Sequence, residues 1–133
     1  MARPFTPFDE TPVNRLLGLK LVEVRPERTV VELHAVEAVI QEAGVVQGGA
    51  IAALADVAAA RLFVGDLGPG RSMTTLELSI RYLKPGLPDG GPLRAVGRPI
   101  KRGRTTAVAE VTVGQGEREL ARVATTLLFI ERR

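Results

Sequence analysis

Hydrophobic residues follow two different periods along this chain of 133 residues. Residues 48–64 are rich in alanine, the best intrinsic helix former, and after the opening glycine pair no glycine or proline interrupts them. They predict one helix of about four turns. Because this segment is apolar nearly all round, the rest of the chain should wrap it. It falls short of the roughly 20 apolar residues that cross a bilayer, so no membrane partner is expected.

The other ordered segments alternate with the two-residue period of strands. Two strands precede the helix and four follow it, with predicted bounds of 19–24, 29–36, 72–83, 93–100, 104–113 and 119–130. The first two should form a hairpin. Gly97 and Pro99 interrupt the fourth strand, which should bend or lie at a sheet edge. The clearest alternation is in the third strand and places on one face Thr74, Leu76, Leu78, Ile80 and Tyr82.

This order of elements predicts an α+β fold in a single domain, 1–133, with an irregular segment at 1–17 that contains a short helix at 13–17. One helix cannot supply the alternating crossovers of a parallel sheet, so the sheet should be antiparallel and packed against the helix as a second layer. Such a sheet leaves strand edges exposed. Pairing with a second copy of the chain would cover them, so a homo-oligomer is expected.

Composition excludes several classes of function. The chain has no cysteine and a single histidine, His34, so disulfides, thiolate chemistry and a metal site are not expected. The net charge is +3, and four cations cluster within residues 98–104. That cluster suits either a solvated hairpin or a small phosphate-bearing ligand. Aromatic residues make up 4% with no tryptophan, so nucleic-acid binding is not expected. The first residues lack an apolar signal stretch, which favours a cytoplasmic location.

Asp56 breaks the apolar pattern of the helix. Its neighbours three and four positions away are alanines, which cannot hydrogen-bond a carboxylate, so another segment or a ligand must meet it. Gly48 and Gly49 place free N–H groups at the helix start, where a carbonyl oxygen could be polarised as an oxyanion. Asp56 is about 12 Å from Gly48 by helical rise. Two antiparallel helices would bring the two groups together, which predicts a site shared between subunits.

Residues 47–56 resemble the H-G-G-x-x-x-x-L-x-D segment of hotdog-fold acyl-CoA thioesterases, especially the phenylacetate-pathway, PaaI-like branch. Residues 80–85, which read Ile-Arg-Tyr-Leu-Lys-Pro, are similar to the I-x-Y-x-x-P strand end of that family. The resemblance extends from about Gly18 to Ile130. It implies a hotdog fold, in which a curved antiparallel sheet wraps one long central helix. It also implies hydrolysis of a small or aromatic acyl-CoA at a dimer interface, within a dimer of dimers.

The resemblance also implies roles for individual residues. Asp56 would be the general base or the nucleophile, and the Gly48 N–H would be the oxyanion donor. Gln41 stands where the family often has Asn. Thr75 stands where some members have a Ser that helps to position the water, although its strand parity requires a bulge or contact with a partner. The CoA phosphates would bind four basic residues: Arg81, Lys84, Arg102 and Arg104. No cofactor is implied beyond the coenzyme A of the substrate.

The main departure from the family pattern is Gln47, which replaces the motif histidine. A glutamine amide can donate a hydrogen bond to a carbonyl but cannot deliver a proton near neutral pH. A thiol pKa of about 8.5 makes thiolate a fair leaving group without protonation, so hydrolysis is compatible with this change. The same change is also compatible with a non-catalytic acyl-CoA-binding or regulatory protein. A hotdog dehydratase or hydratase is disfavoured, because His34 is misplaced for that site.

Overall fold

The computed structural model describes residues 6–131, most of which form a six-stranded sheet around one long helix. The helices are α1 (Pro12–Leu16) and α2 (Gly48–Arg61). The strands are β1 (Leu19–Arg25), β2 (Arg28–Leu33), β3 (Arg71–Tyr82), β4 (Leu93–Arg102), β5 (Thr106–Gln115) and β6 (Arg118–Glu131). Residues 1–5 of the predicted irregular segment 1–17 lie outside the described residues. The rest of that segment contains a 3-10 turn at Phe8–Glu10 and then α1.

The sheet has the strand order β1-β2-β4-β5-β6-β3, and each pair of neighbours is antiparallel. The predicted antiparallel α+β arrangement and the β1–β2 hairpin are therefore confirmed. Helix α2 lies across one face and contacts strands β2 to β6, so the sheet wraps it. The free edges among the described strands are β1 and β3. Strand β2 ends at Leu33, short of the predicted residue 36, because the chain turns into a 3-10 helix at Val36–Val39.

Strand β4 is an interior strand, so of the two predicted alternatives the edge position is wrong, while the irregularity between Pro99 and Lys101 agrees with a bend. Gly97 lies opposite the helix, and a Cβ there would be 2.7 Å from Thr29 Oγ1 and 3.1 Å from the Ala58 carbonyl oxygen. The Thr29 hydroxyl donates to that same carbonyl at 2.7 Å. The missing side chain therefore lets the helix backbone come close to the sheet. Pro99 is tolerated inside the sheet beside a bulge between Pro99 and Lys101.

Helix α2 is buried along the stripe that faces the sheet, and its small side chains make the close packing possible. The buried residues are Ala50, Ile51, Leu54, Ala55, Ala58 and Ala59. The α-helix ends at Arg61 rather than at the predicted residue 64, because the N–H groups of Leu62 and Phe63 bond three residues back and tighten the last turn. By length and composition the segment Gly48–Asp66 could span a membrane, but in this fold it is the core helix.

Strand β3 departs from strict alternation. A bulge between Thr75 and Glu77 reverses the parity of the strand at Leu76, so Leu76 is 57% exposed while Leu78 and Ile80 pack against the core. The prediction that Thr74, Leu76, Leu78 and Ile80 share one face is therefore wrong for Thr74 and Leu76, which precede or lie in the bulge. The bulge instead turns Thr75 toward the helix, which is one of the two arrangements that its parity required.

The loop after β3 is held by one buried side chain. The Gln115 amide donates to the carbonyls of Leu87 and Gly91 at 2.7 and 2.9 Å, and its oxygen accepts from the Leu87 N–H at 2.8 Å. The neighbouring Gly86 carbonyl accepts from the Val46 N–H at 2.9 Å. These bonds fix the loop against the segment that leads into α2.

Gly97→Ala tests the close approach of helix and sheet. The added methyl would press on helix backbone, so we expect a loss of about 1–3 kcal/mol in the free energy of unfolding, measured by urea denaturation at one protein concentration. Gly65→Ala is the matched control, because a Cβ at Gly65 meets nothing within 4 Å. Equal stability of the two variants would contradict this account of the packing.

Candidate functional site

The first turn of α2 offers unpaired donors. Gln47 is the N-cap residue and makes no side-chain capping bond. Its own N–H donates to the Val39 carbonyl at 2.8 Å, and its carbonyl accepts from the Ala50 N–H at 3.0 Å. Neither the Gly48 nor the Gly49 N–H meets an acceptor among residues 6–131. Free N–H groups at a helix N-terminus attract a carbonyl oxygen or an anion.

Asp56 lies in the middle of α2 and is half-buried. The Thr75 hydroxyl donates to Asp56 Oδ1 at 2.7 Å. Among the described residues the second carboxylate oxygen has no donor, and no cation pairs with the group. The bulge in β3 makes the Thr75 contact possible. One oxygen is thus oriented while the other remains available as a base or nucleophile.

Tyr82 is a feature of this region to which the sequence pattern assigned no role. Its hydroxyl donates to the Gly48 carbonyl at 2.6 Å. The contact joins the end of β3 to the start of α2, just as Thr75 joins the middle of β3 to the middle of α2. Two features of the sequence could have indicated it. Tyr82 stands in the strand-end motif, and it is the sole tyrosine in the chain.

An open pocket of about 380 Å³ lies beside the helix start. Its lining residues are Val46, Gly48, Ile51, Tyr82, Leu83, Lys84 and Pro85. Most of these side chains are apolar, and Lys84 supplies one positive charge. The volume falls in the range of sites for small ligands, roughly 300–1,000 Å³. The wall that carries Lys84 belongs to the loop that Gln115 holds.

The two glutamines predicted for the site lie on the approach to the helix. Gln47 is exposed, directly before Gly48. The Gln41 side-chain oxygen accepts from the Ala43 N–H, while the Gln41 N–H donates to the Val45 carbonyl at 2.8 Å. Gln41 therefore closes a tight turn ahead of α2, and within the described protomer its side chain forms no hydrogen bond to Asp56 or Gly48.

The four predicted phosphate ligands do not form one cluster within a protomer. Lys84 lines the pocket at the helix start, whereas Arg81 lies on the opposite face of the sheet, beside Glu110 and Arg122. Arg102 pairs with Asp66 near the far end of α2, and its guanidinium lies 5.2 Å from the centroid of the Phe63 ring. The exposed Arg104 follows β4 in the turn to β5.

Other candidate chemistry lies elsewhere. His34 is exposed, with Nε2 at 3.0 Å from Glu32 Oε1, and it does not touch the residues around Asp56. Within the described part of the chain, no group of three or more His, Asp or Glu side chains could hold a metal ion. The chemistry available at α2 is therefore that of one carboxylate, a hydroxyl that orients it and backbone donors.

Comparison with known proteins identifies the family of the chain. Residues 43–122, more than half of the chain, match the family model of the thioesterase superfamily. No curated protein sequence matches the chain. A phenylacetic acid degradation-related protein from Ralstonia eutropha is 28% identical, with a TM-score of 0.81 over 89% of each chain. A Streptococcus mutans protein solved bound to acetyl-CoA is 30% identical, with a TM-score of 0.73 over 86% of this chain and 90% of that one.

Fold similarity extends further than sequence similarity. The PaaI protein of the Escherichia coli phenylacetic acid degradation operon is 20% identical, with a TM-score of 0.83 over 94% of this chain and 88% of that one. This similarity confirms the hotdog fold, and the match to the thioesterase superfamily with the 28% identical protein from Ralstonia eutropha confirms the resemblance to the PaaI-like branch. The chain belongs to the thioesterase superfamily and is a thioester hydrolase.

Proposed function

We propose that this protein hydrolyses a small or aromatic acyl-CoA thioester to the free acid and CoA. Asp56 acts as general base on water or as nucleophile, and the Gly48 N–H stabilises the oxyanion. The observation that carries the proposal is the environment of the Asp56 carboxylate. The carboxylate is held at one oxygen by Thr75 and free at the other, on a helix whose first N–H groups have no acceptor among the described residues.

In the general-base route, Asp56 removes a proton from water as the water oxygen attacks the thioester carbonyl carbon. The carbonyl oxygen becomes an oxyanion, and the Gly48 N–H donates to it. The intermediate then collapses, the C–S bond breaks and CoA leaves as thiolate. The proton held by Asp56 passes to the thiolate or to solvent, so the carboxylate is regenerated. In the nucleophilic route, an Asp56 oxygen attacks the thioester carbonyl carbon, the C–S bond breaks and CoA leaves as thiolate, which gives a mixed anhydride between Asp56 and the acyl group. Water then hydrolyses the anhydride, which releases the free acid and a proton and regenerates the Asp56 carboxylate.

A site shared between two protomers follows from distance. Within one helix Asp56 and Gly48 are about 12 Å apart, which is too far for both to act on one carbonyl. The uncovered side of α2 carries Ala52, Ala53, Val57 and Ala60, all half-buried in the single protomer. An adjacent antiparallel copy of α2 would cover this side and bring Asp56 of one protomer toward Gly48 of the other.

Strand β3 supports the same dimer. It is a free edge of the described sheet, and Leu76 and Leu83 at this edge are 57% and 45% exposed. An exposed edge with apolar side chains is a template for pairing with another strand. Pairing β3 with its copy would continue the sheet and place the two α2 helices side by side. A dimer of dimers, located in the cytoplasm, completes the proposal.

The pocket at the helix start supports a small or aromatic acyl group. Val46, Ile51, Leu83 and Pro85 give it an apolar lining, and its volume of about 380 Å³ is modest. The similar proteins point the same way, since one is related to phenylacetic acid degradation and another binds acetyl-CoA. Gln47 is exposed and directly precedes Gly48, and its amide would donate to the thioester carbonyl. Gln41 supports this segment through its turn.

The CoA phosphates would lie near Lys84, which is the cation among the residues that line the pocket at the helix start. In the antiparallel dimer the far end of one α2 approaches the start of the other. Arg102 and Arg104 of one protomer would then approach Lys84 of its partner. Arg81, on the opposite face of the sheet, is the weakest of the four proposed ligands. No cofactor is required, because coenzyme A is part of the substrate.

Asp56→Asn is the direct test, because it keeps the shape of the side chain and removes the base. We expect kcat to fall by at least about 100-fold. Thiol release from acetyl-, hexanoyl-, benzoyl- and phenylacetyl-CoA can be followed with Ellman's reagent without background, because the chain has no cysteine. Asp89→Asn, at an exposed loop position, is the matched control. Full activity of the Asp56 variant would refute the mechanism. Calorimetric binding without thiol release in the unmodified protein would show that none of these four thioesters is its substrate.

Thr75→Val tests the orientation of the carboxylate. Valine keeps the shape of threonine but cannot donate to Asp56, and a hydrogen bond to a charged group contributes about 1.5–3 kcal/mol. We therefore expect kcat to fall by roughly 10-fold or more, whereas Thr75→Ser should stay within about 3-fold of the unmodified enzyme. Equal rates for the valine and serine variants would show that the hydroxyl has no part in catalysis.

Mixed dimers test the shared site. Gly48→Pro removes the N–H at a first helical position, which tolerates proline, and Gly48→Ala is its control with the N–H retained. An equimolar mixture of Asp56→Asn and Gly48→Pro protomers, refolded together, leaves one intact shared site in each heterodimer. Activity should recover to about one quarter of the unmodified level. A site contained within one protomer would give no recovery.

A further inference from the structure

Tyr82 has a specific place in the proposed site. We infer that Tyr82 is a positioning residue, which holds the first turn of α2 so that the Gly48 N–H is fixed where the oxyanion forms. This inference rests on the proposed role of Gly48. Its basis is the hydrogen bond of 2.6 Å from the Tyr82 hydroxyl to the Gly48 carbonyl. Nothing in the sequence pattern or in the family resemblance assigned that contact.

The start of α2 lacks the usual stabilising features of a helix N-terminus. Gln47 makes no side-chain capping bond, and the first turn contains no acidic residue. Glycine occupies the first two helical positions, where it retains more conformational freedom than any other residue. Within residues 6–131, the Tyr82 hydroxyl is the one side-chain group that hydrogen-bonds the backbone of Gly48 or Gly49. It therefore holds this turn at a carbonyl and, unlike an N-cap side chain, leaves the Gly48 and Gly49 N–H groups without an acceptor among the described residues.

Order at this turn matters for catalysis. An oxyanion donor is effective when it is already aimed at the position that the charged oxygen will occupy, about 3 Å away. A frayed turn would have to be ordered during the reaction, and that cost would appear in kcat. Holding the Gly48 carbonyl fixes the residue whose N–H donates.

The ring of Tyr82 reinforces the hydroxyl contact. A Cβ built on Gly48 would lie 3.0 Å from both Cζ and Oη of Tyr82. The ring is thus packed directly on the α-carbon of Gly48. Because Tyr82 is the last residue of β3, the strand anchors the helix at two points, through Thr75 at the carboxylate and through Tyr82 at the donor. In a shared site, one protomer supplies the first anchored group and its partner supplies the second.

Tyr82→Phe removes the hydroxyl and keeps the ring, so it separates positioning from packing. We expect kcat to fall by roughly 3- to 10-fold, as for the loss of one neutral hydrogen bond, with KM within about 2-fold of the unmodified enzyme. Ser79→Ala, which removes an exposed hydroxyl from the same strand, should leave both constants unchanged. The urea midpoint of Tyr82→Phe should fall only slightly, because one hydrogen bond is lost while the buried core is untouched.

A double variant tests whether Tyr82 acts through Gly48. Gly48→Pro and Gly48→Ala both add a Cβ that would lie 3.0 Å from the Tyr82 ring, so Gly48→Ala is the reference for this test. Adding Tyr82→Phe to Gly48→Ala, which keeps the N–H, should lower kcat by about as much as it does in the unmodified enzyme. Adding it to Gly48→Pro, which lacks the N–H, should lower kcat by less than about 1.5-fold, because neighbours that act as a unit are not additive. Fully additive losses would overturn the inference. So would a raised KM with unchanged kcat for Tyr82→Phe alone, which would make Tyr82 only a wall of the pocket.

Different results would overturn the role of Tyr82 and the proposed function. An inactive Asp56→Asn variant combined with an unchanged Tyr82→Phe enzyme would remove the role of Tyr82 and leave the proposed function intact. A fully active Asp56→Asn variant would remove the proposed carboxylate. Tyr82 would then be judged by its coupling to Gly48 alone.

Discussion

The close approach of α2 to the sheet is the constraint on which the rest of the structure depends. The helix is apolar nearly all round, and its inner face is built mainly from alanines, so it can be buried only if a sheet comes near its backbone. Gly97 and Thr29 allow this approach in the middle of the sheet. Once the helix is seated, its start and its middle are both fixed relative to β3.

Strand β3 is suited both to pair with a second copy and to orient side chains of the proposed site, which requires different residues to face outward and inward. It is a free edge of the described sheet, which suits it to pair with a second copy, and it also orients the side chains of the proposed site. The bulge at Leu76 meets both requirements, because it turns Thr75 inward and leaves Leu76 exposed at the edge. Formation of the proposed dimer and assembly of its active site would therefore depend on the same strand.

Gln47 stands where the family motif has histidine, so the proposed site has no imidazole at that position. The position directly before Gly48 holds an exposed amide that cannot act as a proton donor near neutral pH. The remaining groups, a carboxylate oriented by a hydroxyl and backbone donors at a helix start, need no further proton donor when the leaving group is a thiolate. The organisation of α2 and β3 thus matters more to the proposed reaction than the identity of residue 47.

The sequence by itself determined the element order, the antiparallel α+β class, the central helix and the prominence of Asp56 and Gly48, because hydrophobic periodicity and an isolated charge are local properties of the chain. In β5 the same alternation places Ala107, Ala109, Val111 and Val113 on one face, and all four are buried. The resemblance to the thioesterases rested on a short contiguous motif, which is also local.

Only the tertiary structure decided the interior place of β4, the reversed parity of β3 and the partners of the two site groups. Each depends on contacts between residues far apart in the chain, such as Thr75 with Asp56 and Tyr82 with Gly48. A bulge inserts one residue into a strand without a distinctive local pattern, so alternation alone could not place Thr75. The hydroxyl of Tyr82 gained a function only because folding brought the end of β3 to the start of α2.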